Sequence, residues 1–551
     1  MANHQFVNAL GLDGAEWIDF QRNVFNGQLT RLEIAELLNL PKTSDVTPVQ
    51  VRIWRNYACE PMEPIARIIG RYWNLDYDFS YTGYDDSLSF VEVSLNPSSF
   101  DVELVLIDTS HYQLEGDEFK QWLNLRLAYL QQVTATQVIC VTLGDQIDIQ
   151  VDGKHVVSLQ EHDEALYDSR YEKSTGSRLT PTTHYLLGRE LASTWLAERS
   201  VPPKKILAID LDFTLHSGVL GESGMGVVVD DQFKHLQKEI LKAKQEGLML
   251  AVLSKNDQRD VLNLLKNHPD YLLRESDFVS VEASWGSKTD ALARVLHQTR
   301  INQDAVIFID DNPVELIQMS AAFPGVTCVS ADSGPDYATN TLRLVPGYRR
   351  SISDHAADLR VKDIQSNEDR ERLISNGLNT YYETAEPQLK VSVHQLDDLE
   401  RLVDLGKRSN QFNLLLSRYE RHDYEAPRSI WIALSLVDRF SDSGIIGGIL
   451  CSNTEPNECT VLDLFLSCRV LGRGLETSLI CSGLLAAMNQ SNSTNLTLSW
   501  VAGDRNEPAL NWLSKDVLSA PVDAGGSITI GIEKIEKLSR PPTGVKVEIK
   551  R

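Results

Sequence analysis

Apolar residues fall here into short unbroken runs that stop abruptly at polar ones, the pattern of strands buried on both faces of a parallel sheet. Lys205-Ile206-Leu207-Ala208-Ile209 ends in Asp210-Leu211-Asp212-Phe213-Thr214, Leu248 to Leu253 leads into Ser254-Lys255-Asn256, and Val306 to Ile309 ends in Asp310-Asp311-Asn312-Pro313. Ser284-Trp285-Gly286-Ser287-Lys288 opens a helix between the last two. Val102 to Asp108 and Val138 to Leu143 predict two earlier parallel strands with helices between them. Further on, strands are predicted at Leu389 to Val393, Ile430 to Asp438, Gly444 to Cys451 and Thr460 to Leu466, with two helices around Leu396 to Arg418. The fold class is α/β and multidomain.

Breaks in the pattern divide the chain. Residues 1–200 form a first α/β region, closed by the proline-bearing link Ser200-Val201-Pro202-Pro203. Residues 204–345 carry the runs that end in carboxylates. A polar helical connector, 356–385, is amphipathic through Leu359, Val361, Ile364, Leu373 and Ile374, and 388–551 form the last domain. There is no internal repeat or low-complexity segment.

Composition narrows the function. With 53 Lys and Arg against 77 Asp and Glu, a net charge of -24 excludes a nucleic-acid binder, which needs clustered cations. Lys204-Lys205 and Arg349-Arg350 are the basic pairs that an acidic partner could meet. No run of eighteen apolar residues suggests a membrane span, and no secretory signal is evident, so the expected location is the cytoplasm. The seven cysteines are scattered, without a CxxC pair, and read as reduced thiols.

The chemistry starts at Asp210 and Asp212. Open α/β sheets hold ligands beyond the carboxyl ends of their strands. Side chains two residues apart on an extended backbone leave on the same side. One carboxylate can then act as nucleophile while its neighbour handles protons, with Mg²⁺ holding the anions together. Four segments in order, each at a strand end or helix start, point to a phosphate site.

These four segments resemble the motifs of the haloacid-dehalogenase superfamily, and Leu215-His216-Ser217-Gly218-Val219-Leu220-Gly221-Glu222-Ser223-Gly224 resembles its FkbH-like branch. That branch forms glyceryl thioesters on acyl carrier proteins from 1,3-bisphosphoglycerate. The resemblance implies Asp210 as the nucleophile that takes a phosphoryl group and Asp212 as general acid/base. It implies Thr214, Ser254 and Lys288 as phosphate binders, and Asp210, Asp212, Asp310 and Asp311 as the Mg²⁺ set. Phe213, His216 and Ser217 depart from the family's Asn, Trp and Gly, which leaves the identity of the acyl group open.

Val51 to Pro61 with the two early strands resembles an SGNH-hydrolase-like amino-terminal domain, but one without a Gly-Asp-Ser turn or an aspartate three residues before His184. A hydrolase triad is therefore not expected. Arg55, Asn56 and Glu60 remain as site candidates. The last domain resembles the GNAT acyltransferases through Ser467-Cys468-Arg469-Val470-Leu471-Gly472-Arg473-Gly474, whose backbone N–H groups at a helix start suit an anion. Arg469, Gly472 and Gly474 would receive a phosphopantetheine arm. Cys468, beside a helix start and a guanidinium, is the expected acyl acceptor. Asn410, Gln411 and Asn413 match a family string whose amides would orient the acyl group or the arm. The expectation is an enzyme that loads a glyceryl unit onto an acyl carrier protein from a small phosphorylated acyl donor, with Mg²⁺ as cofactor. A phosphatase or acyltransferase for another hydroxyacyl or sugar substrate, and a non-catalytic carrier-binding protein, stay open as alternatives.

Overall fold

A computed structural model describes residues 12, 16–40, 46–91, 93, 100–113, 116–134, 136–143, 155–158, 167–197, 200–201, 203–348, 363, 366–409, 411–419, 421–453, 457–467, 470–503 and 506–550. The chain divides into two compact units. One comprises Met1–Asp277, Val281–Leu292 and Gln303–Ser353, the other Phe278–Ser280, Ala293–Asn302 and Asp354–Arg551.

The first sheet of unit one contains β1 (Thr47–Arg55), β2 (Leu75–Tyr84), β3 (Val102–Asp108), β4 (Gln137–Leu143) and β5 (His155–Ser158), in the order β2-β1-β3-β4-β5 and parallel throughout. β3 is buried at every position, as the apolar run Leu104 to Ile107 leads one to expect. The helix Gly116–Thr134 buries Phe119, Leu123, Leu127 and Leu130, one stripe at helical spacing, against Trp54, Phe90 and Val105. One rung of this sheet is ionic: Glu103, fully buried and registered opposite Arg52, accepts from Arg52 Nε at 2.9 Å, Arg52 Nη2 at 2.5 Å and Trp54 Nε1 at 2.7 Å.

The second sheet is built from β6 (Ile206–Ile209), β7 (Met249–Ser254), β8 (Phe278–Ala283), β9 (Val306–Asp310) and β10 (Thr327–Ser330), ordered β10-β9-β6-β7-β8. β6 runs parallel to both β7 and β9. The chain leaves β6 for one side of the sheet and returns on the other, which makes the β6/β9 boundary a topological switch point, where such sheets bind ligands. At the edge, the helix Glu16–Phe25 lays the buried Gln21 amide along β10. Its oxygen accepts from the Ser330 N–H at 3.1 Å and its Nε2 donates to the Cys328 carbonyl at 2.8 Å.

Unit two carries β11 (Gln388–Val393), β12 (Phe412–Asn413), β13 (Ser429–Val437), β14 (Asp442–Ser452), β15 (Glu458–Leu466), β16 (Asn495–Val501), β17 (Gly525–Gly531) and β18 (Lys546–Lys550), in the order β17-β16-β15-β14-β13-β11-β18. β11, β13, β14 and β15 are antiparallel in turn, whereas β15 and β16 are parallel and pair only from Glu458 to Thr460, so the sheet splits beyond that point. β12 enters the split: Phe412 and Asn413 pair with Leu466 and Phe465, while the Leu414 carbonyl accepts from the Val501 N–H at 2.8 Å. Two helices were expected from Leu396 to Arg418. A single helix, Leu396–Arg408, is found, because Phe412 is buried as a sheet wedge rather than on a helical stripe. The connector folds as Asn367–Ser375 and Leu378–Ala385, with Leu373 and Ile374 on the core; Leu359, Val361 and Ile364 lie outside the described residues. Among the described residues no helix is long and apolar enough to cross a membrane.

Candidate active site

Pairing within the second sheet assembles a carboxylate cluster. Ile209 on β6 is registered with Ile309 on β9, and the Asp210 N–H extends the ladder to the Ile309 carbonyl at 3.0 Å, so Asp210 and Asp310 leave adjacent strands side by side. Asp311 follows, and one carboxylate oxygen from each of Asp210, Asp310 and Asp311 lies within 4.8 Å of the others. Lys288, first residue of the helix Lys288–Thr299, inserts its ammonium between two of them, 2.8 Å from Asp210 Oδ1 and 2.6 Å from Asp310 Oδ2.

Burial sets the electrostatics. It pushes Asp210 up to about 8, with Lys288 opposing the shift and the Asp310 charge adding to it. Burial likewise raises Asp310, and burial with the neighbouring Asp310 pushes Asp311 up to about 6. Burial opposes the Lys288 charge, but Asp210 and Asp310 outweigh it and raise that group. Among the described residues, three clustered carboxylates stand with the Lys288 ammonium, which touches two of them. The excess negative charge and the oxygen-only donor set fit a hard divalent cation.

Asp212 lies outside that convergent set. Its Oδ1 accepts from the Leu220 N–H at 3.0 Å, and its Oδ2 from Asn256 Nδ2 at 2.9 Å. The same Asn256 nitrogen donates to Ser254 Oγ at 3.0 Å, which ties the end of β7 to Asp212. Thr214 is buried in the turn after Asp212, and its hydroxyl has no hydrogen-bond partner among the described residues. His216 is fully buried behind Asp212, its Nε2 3.5 Å from Oδ1, so it offers no surface to a substrate phosphate. Phe213 takes a left-handed φ of +55° and is 47% exposed. Sequence reasoning did not give Asn256 a role; the residue stands in a quoted segment, but its bond to Asp212 depends on how the chain turns after β6.

In unit two, Gly472 and Gly474 have φ of +80° and +68°. Cys468, Arg469 and Asn410 lie outside the described residues. Gln411 is half-buried just before β12. Asn413 is fully buried: its Oδ1 accepts from the N–H groups of Leu415 at 3.0 Å and Leu416 at 2.6 Å, and its Nδ2 has no partner among the described residues. Beside the glycine loop lies a cleft of about 270 Å³, lined by Phe412, Gly472, Glu476, Asn511, Trp512 and Lys515 among others. The amino-terminal candidates bond to their own frame. Arg55 Nη1 lies 2.5 Å from Glu60 Oε1, and Asn56 exchanges bonds with the Asp108 backbone at 3.1 and 2.7 Å. Arg178, which the sequence did not single out, holds Asp108 through two bonds of 2.6 Å.

Sheet order and carboxylate placement define the class: a multidomain α/β protein that combines a parallel sheet bearing carboxylates at its strand ends with a mixed, split sheet. No protein-family profile matches the chain. No curated protein matches it either. Among solved structures it is similar to the N-terminal part of the protein BF1531 from Bacteroides fragilis, which contains a phosphatase domain and is complexed with Mg, at 18% identity and a TM-score of 0.44, over 60% of this chain and 99% of that one. It is also similar to a point mutant of the spermidine N-acetyltransferase SpeG from Vibrio cholerae, at 14% identity and a TM-score of 0.21 over 28% of this chain and 99% of that one. A third similarity is to the GNAT domain of S. lividans PAT, at 15% identity and a TM-score of 0.20 over 26% of this chain and 89% of that one.

Proposed function

We propose that this chain is a cytoplasmic, FkbH-like enzyme that loads a glyceryl unit from 1,3-bisphosphoglycerate onto the phosphopantetheine thiol of an acyl carrier protein and removes the 3-phosphate. The observation that carries this reading is the gathering of Asp210, Asp310 and Asp311 around the Lys288 ammonium at a switch point. Asp210, Asp310 and Asp311 would hold Mg²⁺, which when bound neutralises charge on a phosphoryl group.

In the phosphatase half, the Asp210 carboxylate attacks phosphorus and the bond from phosphorus to the 3-oxygen breaks. The leaving alkoxide takes a proton from Asp212. Water, deprotonated by Asp212, then cleaves the aspartyl-phosphate. Lys288 is placed to balance the phosphoryl oxygens, and the bonds from Leu220 and Asn256 aim Asp212. In the acyl half, the Cys468 thiolate displaces phosphate from the acyl phosphate, and the carrier's thiol takes the glyceryl group by thioester exchange.

The test is to incubate the protein with Mg²⁺, 1,3-bisphosphoglycerate and a holo carrier protein, then weigh the carrier by mass spectrometry. A glyceryl increment is expected. An unmodified carrier with free phosphate appearing would instead favour a phosphatase for another hydroxyacyl or sugar substrate. That second reading draws on Phe213, whose exposed ring offers no amide beside Asp212.

A further inference from the structure

The glycine loop of unit two is a ready seat for an anion, and the protein has put its own anion there. Gly472 N–H donates to Glu476 Oε1 at 2.5 Å. Glu476 is the first residue of the helix Glu476–Ser491, whose exposed N–H groups and dipole favour negative charge. An incoming phosphate would have to displace that carboxylate or sit against it.

The loop has little freedom to offer another seat. Tyr382 of the connector donates to the Gly474 carbonyl at 3.0 Å and the Arg473 carbonyl at 3.3 Å. A Cβ on Gly474 would stand 2.6 Å from the Tyr382 hydroxyl, so ring and loop are in close contact. The Arg473 side chain is buried, 3.5 Å from Asp363 and 3.7 Å from Asp438, and Asp438 is itself gripped by Arg370 at 2.7 and 2.8 Å. Glu476, half-buried, is the adjustable member of the set.

The adjoining cleft of about 270 Å³ suits a different guest. Phe412 and Trp512, with ring centres 5.7 Å apart, give it an apolar floor. Asn511 supplies an amide, and among the described residues the charged lining is Glu476, Asp516 and Lys515. Asp516 also accepts from the Thr477 hydroxyl at 2.8 Å, which fixes it at the wall. A pocket with an apolar floor, an amide and excess negative charge complements a neutral, amide-bearing chain and disfavours a polyanion.

We propose that Glu476 is a specificity-determining residue: by occupying the Gly472 N–H it lets the cleft take an uncharged pantetheine arm while turning away the pyrophosphate of free coenzyme A. This rests on the reading of unit two as the site of the arm. The full-length protein and its Glu476→Gln and Glu476→Ala variants are titrated calorimetrically with pantetheine and with coenzyme A. Wild type should bind coenzyme A about tenfold or more weakly than the Gln variant does, with pantetheine affinity the same in both within about twofold. If pantetheine binds but neither variant gains affinity for coenzyme A, the role of Glu476 is overturned and the cleft stands as the arm site. If pantetheine binds to none of the three, the cleft reading falls and the inference with it. Should the Gln variant not fold, the Ala variant gives the same comparison.

Discussion

Asp210 and Asp212 are two residues apart and stand in different surroundings. Asp210 is buried against Lys288 and Asp310, while Asp212 is held by a backbone N–H and an asparagine amide. On the proposed mechanism Asp210→Asn removes the nucleophile, and it should lower phosphate release by about 10³-fold or more. Because burial already pushes the Asp210 carboxyl toward its neutral form, the neutral amide should not lower the melting temperature. Asp212→Asn should cost about 10²- to 10⁴-fold, the usual worth of a positioned proton donor. Steady-state phosphate release with a melting curve for each variant checks both. A loss of activity matched by unfolding would assign these residues to the frame instead. At this scale the strand-end carboxylates were legible, since an apolar run that stops at Asp reads the same in sequence and in space. Glu476 was not singled out, although an acid at the first position of a helix is a readable signal.

Among elements, the buried central strands were legible and the wedge was not. β3, β6 and β9 are buried throughout and apolar but for Glu103, Asp108 and Asp310, so a buried strand is the natural reading. Ser409 to Asn413 has no helical or alternating period in sequence, and Phe412 and Asn413 pair with Leu466 and Phe465, far along the chain, so only the folded sheet shows that these two fill the split. The ionic rung of the first sheet was equally hidden, because Arg52 and Glu103 meet only through the register of β1 and β3. Glu103→Gln would leave Arg52 charged and buried without its counter-ion. A destabilisation of about 3–5 kcal/mol is expected. Chemical denaturation measures it, and a loss below about 1 kcal/mol would show that water replaces the carboxylate.

For the whole molecule, pH and metal are the levers. Asp463 on β15 is almost completely buried, and burial pushes its carboxyl up from 3.8 to about 7, with a backbone N–H and Arg418 opposing. The neutral form is thus the one the fold prefers. Its contribution to stability is fully present below pH ~4 and is lost as pH rises to about 7, on the order of 4 kcal/mol over the whole window. Asp463→Asn, neutral at every pH, should therefore gain on wild type between pH 5 and 7 and keep a constant lead above, as read by denaturant titrations at several pH values. A flat difference would mean that the carboxyl ionises freely in the fold. Mg²⁺ at about a hundred times its dissociation constant should stabilise the protein by about 2.7 kcal/mol, seen as a higher melting temperature. Asp310→Asn should abolish most of that rise. The helix that carries Gln21 has a consequence for anyone wishing to trim the molecule to its second sheet. Its amide counterfeits a neighbouring strand for β10, so a fragment begun near residue 200 would expose an open backbone rim. Such fragments would zip together edge to edge, and insolubility rather than inactivity would be their first symptom.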